Sequence, residues 1–406
     1  MSAGKFWKQG SQVLFDENIK YSGGITDGVI HDCNNGAGMK IIKETSENEY
    51  IRFIDSIEKS GYTRVYSENT YGMFNEFLKD RVKIYAYYLP NERCTRIIYE
   101  LSVCTPQQSE RDAQRKATKT KLHQLKLDYS EVDCGMSYIF ETQSGSIFII
   151  DGGSYGEQDS LYEYLTKIKP DGELVIEGWF FSHIHNDHYG CFVDFAEKYP
   201  HIRINAFYYN FPSLGREDSG NWDDVQGLIR FYETMEAIYP NVPNYKVHTG
   251  QTVCIDNLRI KVLMTHEDLY PMKALHVNDT STIIMVEAEG QKIFFPGDTA
   301  DGGSDFLIRN FREYLKADIV QISHHGFNGA KIEVYQLNAP EVVLWPTPQY
   351  CLLGDLKNRA PNRFLAYETG ADQFVNDFGT VCLILPYKKG SISDNKDKFC
   401  EFKVLL

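Results

Sequence analysis

The chain is expected to fold as a layered α/β protein preceded by a small α+β unit, on the strength of three features. From about residue 126 onward, short apolar runs recur, each ending in a polar cluster, which is the pattern of strands whose ends carry polar loops. Before residue 103 a helix-period segment is followed by strand-like alternation. The length, 406 residues, suits two such units or one with an elaborated core.

The first unit is assigned residues 1–103. Ser46 and Glu49 have the spacing of a capping box, and Tyr50, Phe53, Ile54 and Ile57 form one stripe, so a helix is expected over Ser46–Ser60, stopped by Gly61. Strands are expected at Thr63–Ser67, Val82–Leu89 and Thr95–Leu101, the last two joined through Pro90-Asn91-Glu92. The tyrosines of this region read as core and sheet surface. Residues 104–125 are polar, with Arg111, Arg115, Lys116, Lys119 and Lys121. They read as a linker or exposed helix, with an arm for an acidic partner as the sharper alternative.

The second unit is assigned residues 126–406. A hairpin, Ser137–Phe140 and Ser146–Ile150, ends at Asp151. Helices are expected at Phe192–Lys198 and Trp222–Ile238. Strands are expected at Ile202–Tyr209, Leu258–Met264, Thr282–Ala288, Lys292–Pro296, Ile319–Ile322, Val342–Trp345 and Val381–Pro386. In α/β layers the site gathers at such strand ends.

Composition narrows the function. A formal net charge of −14 disfavours a long nucleic acid and leaves room for a small, anionic substrate. No run approaches a membrane span, and the first residues lack the apolar core of a signal peptide. Nine cysteines, odd in number and without a Cys-x-x-Cys pair, fit reduced thiols and a cytoplasmic location. The oligomeric state is not written in the sequence.

The chemistry is concentrated in His183-Ile184-His185-Asn186-Asp187-His188, which follows the apolar segment Leu174–Phe181. Imidazoles and a carboxylate in so short a loop suit zinc, iron or manganese better than calcium, which prefers oxygen shells. Three further strand ends carry comparable residues: Asp151, Asp298 after Phe294-Phe295-Pro296-Gly297, and His324-His325-Gly326.

This order resembles the metallo-β-lactamase-like hydrolase superfamily, whose motifs are Asp, His-x-His-x-Asp-His, His, Asp and His on a four-layer αββα sandwich. The resemblance covers roughly residues 126–390, and four of the five motifs are clear. The spacing of Asp298 from His325, and Asn278-Asp279-Thr280-Ser281-Thr282 before a strand, further resemble the branch of competence-type DNA-uptake hydrolase domains and phosphorylcholine esterases.

The resemblance implies two divalent metals, with zinc favoured and manganese or iron as alternatives. His183 and His185 would hold the first, Asp187, His188 and His325 the second, and Asp298 both. Asp151 would orient the histidine loop without touching metal. The third motif departs from the family pattern: His266 or His276 would fill it, or Asn278 occupies the matching turn. The implied activity is hydrolysis by a metal-bridging hydroxide oriented by Asp187. His324 is a candidate hydrogen-bond donor or general acid, or a packed histidine.

The branch points to a small phosphodiester. A lactonase, thioesterase or amidase on the same centre, and a non-catalytic metal-binding protein, are the other readings. A redox role is disfavoured, because the diiron flavoprotein branch has Glu where this chain has His185. Tyr208–Gly215, continuing to Trp222, is long enough to overhang the metals, although its aromatics read more readily as core. The loop Gly152–Gly156 is a weak candidate anion cradle. His31, His123, His201 and His248 read as structural or surface residues.

Overall fold

Three sheets organise the chain in the computed structural model, which describes residues 19–34, 36–101, 117–128, 134–169, 173–213, 225–271 and 276–392. The first sandwich sheet runs Asn244–Lys246, Phe207–Tyr209, Val175–Phe180, Ile147–Asp151, Ser137–Glu141, Lys121–Gln124, Val381–Ile384. The second runs Thr252–Ile255, Leu258–Met264, Ile283–Ala288, Gln291–Phe295, Ile319–Gln321, Val342–Trp345, Asp372–Val375. Each mixes antiparallel hairpins with parallel crossovers: Ile147–Asp151 pairs antiparallel with Ser137–Glu141 and parallel with Val175–Phe180.

The two sheets face each other over one apolar layer. Phe140, Phe148, Ile150 and Phe180 from the first interleave with Ile260, Val262, Ile284, Phe295 and Leu344 from the second. Burial of this kind is worth roughly 25 cal/mol per Å² of apolar surface. The outer face of the first sheet is covered by helices Gln158–Ile168, Asn186–Lys198 and Val225–Ile238, through residues such as Leu161, Phe192, Phe195, Leu228 and Phe231. On the outer face of the second lie helices Asp301–Asn310 and Ile332–Asn338. These layers make the αββα sandwich.

The N-terminal sheet runs Ile25–Thr26, Gly38–Lys43, Cys94–Leu101, Val82–Leu89, Met73–Lys79, Thr63–Glu68. One face receives helix Glu47–Lys59 through Tyr50, Phe53, Ile54 and Ile57. Ser46 caps that helix and Glu49 reaches back to the Ser46 amide, a capping box worth on the order of 1 kcal/mol. The other face shares a core with the sandwich, where Phe74, Tyr85 and Tyr87 join Leu263, Met264 and Tyr270. Tyr85 Oη donates to the Thr249 carbonyl at 2.6 Å and Tyr87 Oη to Asp268 Oδ1 at 2.8 Å, so the buried hydroxyls are satisfied across the seam.

Several sequence expectations are modified. Lys121–Gln124, the end of the segment read as linker or exposed helix, is a sandwich strand with Leu122 and His123 buried; residues 104–116 of that segment lie outside the described residues. Strands Gly38–Lys43 and Met73–Lys79 were not anticipated. Tyr208, Tyr209 and Phe211 are core residues, while residues 214–222 of the suggested overhang fall outside the described residues.

Candidate metal centre

The histidine run is not a free loop. Strand Val175–Phe180 ends just before it, His185 is the extended N-cap of helix Asn186–Lys198, and Asp187 and His188 lie in that helix's first turn. A carboxylate at a helix N-terminus is stabilised by the macrodipole, so Asp187 stands where negative charge is favoured. Strand and helix together aim side chains from both halves of the run at one point.

Asp151 fixes the run from below. It adopts φ 54°, a left-handed conformation unusual for a non-glycine residue, and three bonds hold its carboxylate. Oδ1 accepts from the Ser182 amide at 2.7 Å, and Oδ2 accepts from Ser182 Oγ at 2.7 Å. Oδ2 also lies 2.7 Å from His188 Nδ1. Ser182 Oγ is in turn 3.0 Å from His183 Nδ1. Each contact engages Nδ1 and leaves Nε2 of the same ring for the site, the arrangement that orients metal-binding histidines. His325 follows the same rule, with Nδ1 2.9 Å from the Pro346 carbonyl.

Asp298 reaches the same point from strand Gln291–Phe295. Gly297, at φ 57°, forms the turn; a Cβ there would sit 2.9 Å from Ser281 Oγ and 3.2 Å from Ser182 Cβ. The Asp298 amide donates to Ser281 Oγ at 3.0 Å, and the Thr282 amide donates to the Ser182 carbonyl at 2.8 Å, tying the rims of the two sheets together.

The donor atoms then fall into two groups among the described residues: His183, His185 and Asp298, and Asp187, His188, Asp298 and His325. Asp298 Oδ2 is 3.8 Å from His183 Nε2, 3.3 Å from His188 Nε2 and 3.3 Å from His325 Nε2. Asp187 Oδ2 is 3.1 Å from His325 Nε2 and 3.6 Å from His188 Nε2. His183, His188, His325 and Asp298 are buried, while His185, Asp187 and His324 are partly exposed and form the open side.

These residues fit a pair of cations. His188 Nε2, His325 Nε2 and Asp298 Oδ1 are buried without a hydrogen-bond partner, although buried polar atoms are nearly always paired. The charges point the same way. Burial and the neighbouring His188 hold His183 well below its ordinary pKa, in the neutral form that ligates metal. Burial opposes ionisation of Asp298, yet His325 and His188 outweigh it and keep this carboxylate well below the usual range. Burial also opposes charge on His188, but Asp298, Asp187 and Asp151 raise it to about 10. Such a site exchanges protons for metal.

Neither candidate for the third motif joins these groups. His266 is buried in a one-turn helix with Nε2 3.0 Å from Asn210 Oδ1, and His276 is exposed. Asn278 lies closer to the centre: its Nδ2 is 3.0 Å from His324 Nε2, and its Oδ1 is buried without a partner. The Gly152–Gly156 loop spends amides on packing, Gly152 to the His188 carbonyl at 2.8 Å and Gly156 to Asp194 Oδ2 at 2.9 Å. His123 Nε2 is 2.9 Å from Glu141 Oε1 and His248 Nδ1 is 2.7 Å from Glu267 Oε2, both outside the donor groups. Two residues at the site were not singled out by sequence, Ser182 and Cys134. The first directly precedes the histidine run; the second carries no spacing signal.

The sandwich with these rim loops is the metallo-β-lactamase fold, and residues 133–329 match the family model of the metallo-beta-lactamase superfamily. No curated protein sequence matches the chain. Similar solved structures include CmlA, a diiron beta-hydroxylase from Streptomyces venezuelae, at 14% identity over 66% of this chain and 54% of that one, with TM-score 0.40. The metallo-beta-lactamase fold protein YhfI from Bacillus subtilis aligns at 11% identity over 65% and 99%, with TM-score 0.40. A long form RNase Z from yeast aligns at 10% identity over 75% and 45%, with TM-score 0.41. The chain thus spans about half the length of the hydroxylase.

Proposed function

We propose that this chain is a dinuclear metal-dependent hydrolase acting on a small, anionic phosphodiester. The observation that carries the reading is the sharing of Asp298 between two donor groups, with His188 Nε2, His325 Nε2 and Asp298 Oδ1 buried and without a hydrogen-bond partner. Two divalent cations bound there, zinc in the first instance, supply Lewis-acid stabilisation of developing charge and a water acid enough to attack near neutral pH.

The chain's own residues divide the remaining work. His183, His185 and Asp298 hold one cation; Asp187, His188, His325 and Asp298 hold the other. Asp151 positions His188 through its 2.7 Å contact and, through Ser182, positions His183. Asp187 is partly exposed on the open side and orients the attacking water there. His324, held by Asn278 at 3.0 Å, donates a hydrogen bond or proton to the leaving-group oxygen. The choice of a phosphodiester rests on the likeness of the Asp298–His325 segment to the competence and phosphorylcholine esterase branch. The net charge of −14 supports a small substrate over long nucleic acid. No described helix is long and apolar enough to cross a membrane, and a cytoplasmic location is proposed from the scattered, odd-numbered cysteines without a Cys-x-x-Cys pair.

One observation favours a second reading, a metal-binding protein without turnover: the first group has three donors, and His266 and His276 stand apart from it. Purified protein assayed on bis-p-nitrophenyl phosphate, a lactone panel and a thioester panel separates the cases. Zinc- or manganese-dependent cleavage of the phosphodiester is expected. Turnover confined to the lactones or thioesters would move the substrate class. Less than one metal ion per chain with no activity restored by either metal would sink the enzyme reading.

A further inference from the structure

A thiol borders the second donor group. Residues 134–136 run along the first turn of helix Asn186–Lys198, pinned by backbone contacts: the Met136 amide donates to the Asp187 carbonyl at 3.4 Å and Ser154 Oγ to the Cys134 carbonyl at 3.4 Å. Gly135 permits the approach, because a Cβ there would come within 3.1 Å of Leu127 Cδ1 and 3.2 Å of the Asp187 carbonyl oxygen. Pinned in this way, Cys134 places Sγ 3.1 Å from Asp187 Oδ2, and the thiol also meets the His325 imidazole.

The same Asp187 Oδ2 lies 3.1 Å from His325 Nε2. That nitrogen belongs to a fully buried side chain and has no hydrogen-bond partner, so it points independently to a ligand at the spot the sulfur reaches. No described cysteine belongs to either donor group; Cys134 borders the second through its contacts with Asp187 and His325.

We infer that Cys134 Sγ is a further protein ligand of the second metal, beside Asp187, His188, His325 and Asp298; this rests on the two-metal reading above. Coordination breaks the S–H bond, forms a sulfur–metal bond and sends the proton to solvent, with no change of oxidation state. A thiolate ligand biases the site toward zinc, cobalt or cadmium and against manganese. Cys134 donating to Asp187 as an uncoordinated thiol is the competing role.

Cobalt(II) titration of the metal-free full chain decides between them. The inference predicts visible d–d bands together with a near-ultraviolet thiolate-to-cobalt charge-transfer band, the latter lost in Cys134→Ser while the d–d bands persist. It also predicts that the preference for zinc over manganese drops by about tenfold in that variant. Cobalt d–d bands without the charge-transfer band, or a band unchanged in Cys134→Ser, would overturn the role of Cys134 and leave the metal centre standing. If no cobalt bands appear at all, the metal centre falls and this inference with it. Should the variant not fold, wild-type protein suffices: bound zinc is expected to abolish iodoacetamide labelling of Cys134, mapped by peptide mass spectrometry. Equal labelling with and without bound zinc would overturn the inference.

Discussion

His188 Nδ1 lies 2.7 Å from Asp151 Oδ2, and that contact turns the opposite ring nitrogen to within 3.3 Å of Asp298 Oδ2. One carboxylate at the end of a strand thus sets the direction of an imidazole on a helix. Asp151→Asn preserves the left-handed backbone that Asn tolerates but removes the charge. Zinc affinity, measured by calorimetry, should fall about 10- to 100-fold with the far-ultraviolet spectrum unchanged. An unaltered affinity would mean that Asp151 serves packing alone.

Bound metal should stabilise the fold, because the donors come from both sheets and assemble only in the native state. Zinc at about 100 times its Kd should add about 2.7 kcal/mol and raise Tm. The gain should vanish with chelator and shrink in His183→Ala. A Tm indifferent to zinc and chelator would speak against a ligand set of this kind.

His324 offers a sharper kinetic test. If it assists the leaving group, His324→Gln should lower kcat on the order of 100-fold with little change in KM. The loss should be larger for poorer leaving groups. A uniform loss across leaving groups would indicate a packing role.

The seam between the N-terminal sheet and the sandwich holds a buried ion cluster with its own pH dependence. His248 Nδ1 is 2.7 Å from Glu267 Oε2, and Lys83 and Lys246 pair with Glu100 and Glu267. Burial opposes the His248 imidazolium, yet Glu267 and Glu100 prevail and raise its pKa from 6.5 to about 9. A raised folded-state pKa stabilises fully below the unfolded value and is lost as pH climbs through the folded one. The stability difference between wild type and His248→Gln should therefore shrink by roughly 2 kcal/mol between pH 6.5 and about 9. A difference constant over that window would contradict the ion-pair assignment.

Much of this was legible in the chain because the local signals agree with the fold. The Ser46–Glu49 capping box and its apolar stripe became helix Glu47–Lys59, and the apolar runs before Asp151, His183, Asp298 and His324 became strands meeting at one rim. What escaped was tertiary. Strand Met73–Lys79 carries Asn75 and Glu76 in its middle, which spoils alternation; both are buried, Asn75 donating to Tyr50 of the N-terminal helix and Glu76 accepting from Gln251 across the seam. The histidine run read as a loop because nothing local announces that His185 caps a helix. Cys134 was invisible for the same reason, since only folding brings it to Asp187. The third motif stayed open because His266 and His276 share a short stretch, and only the fold shows that neither joins the donors.

The most direct test is the position of metal in crystals of the zinc-loaded protein, read from anomalous difference density. Two peaks sharing Asp298 are predicted, one beside His183 and His185 and the other beside Asp187, His188 and His325. Density at a single position, or peaks away from Asp298, would contradict the two-metal centre.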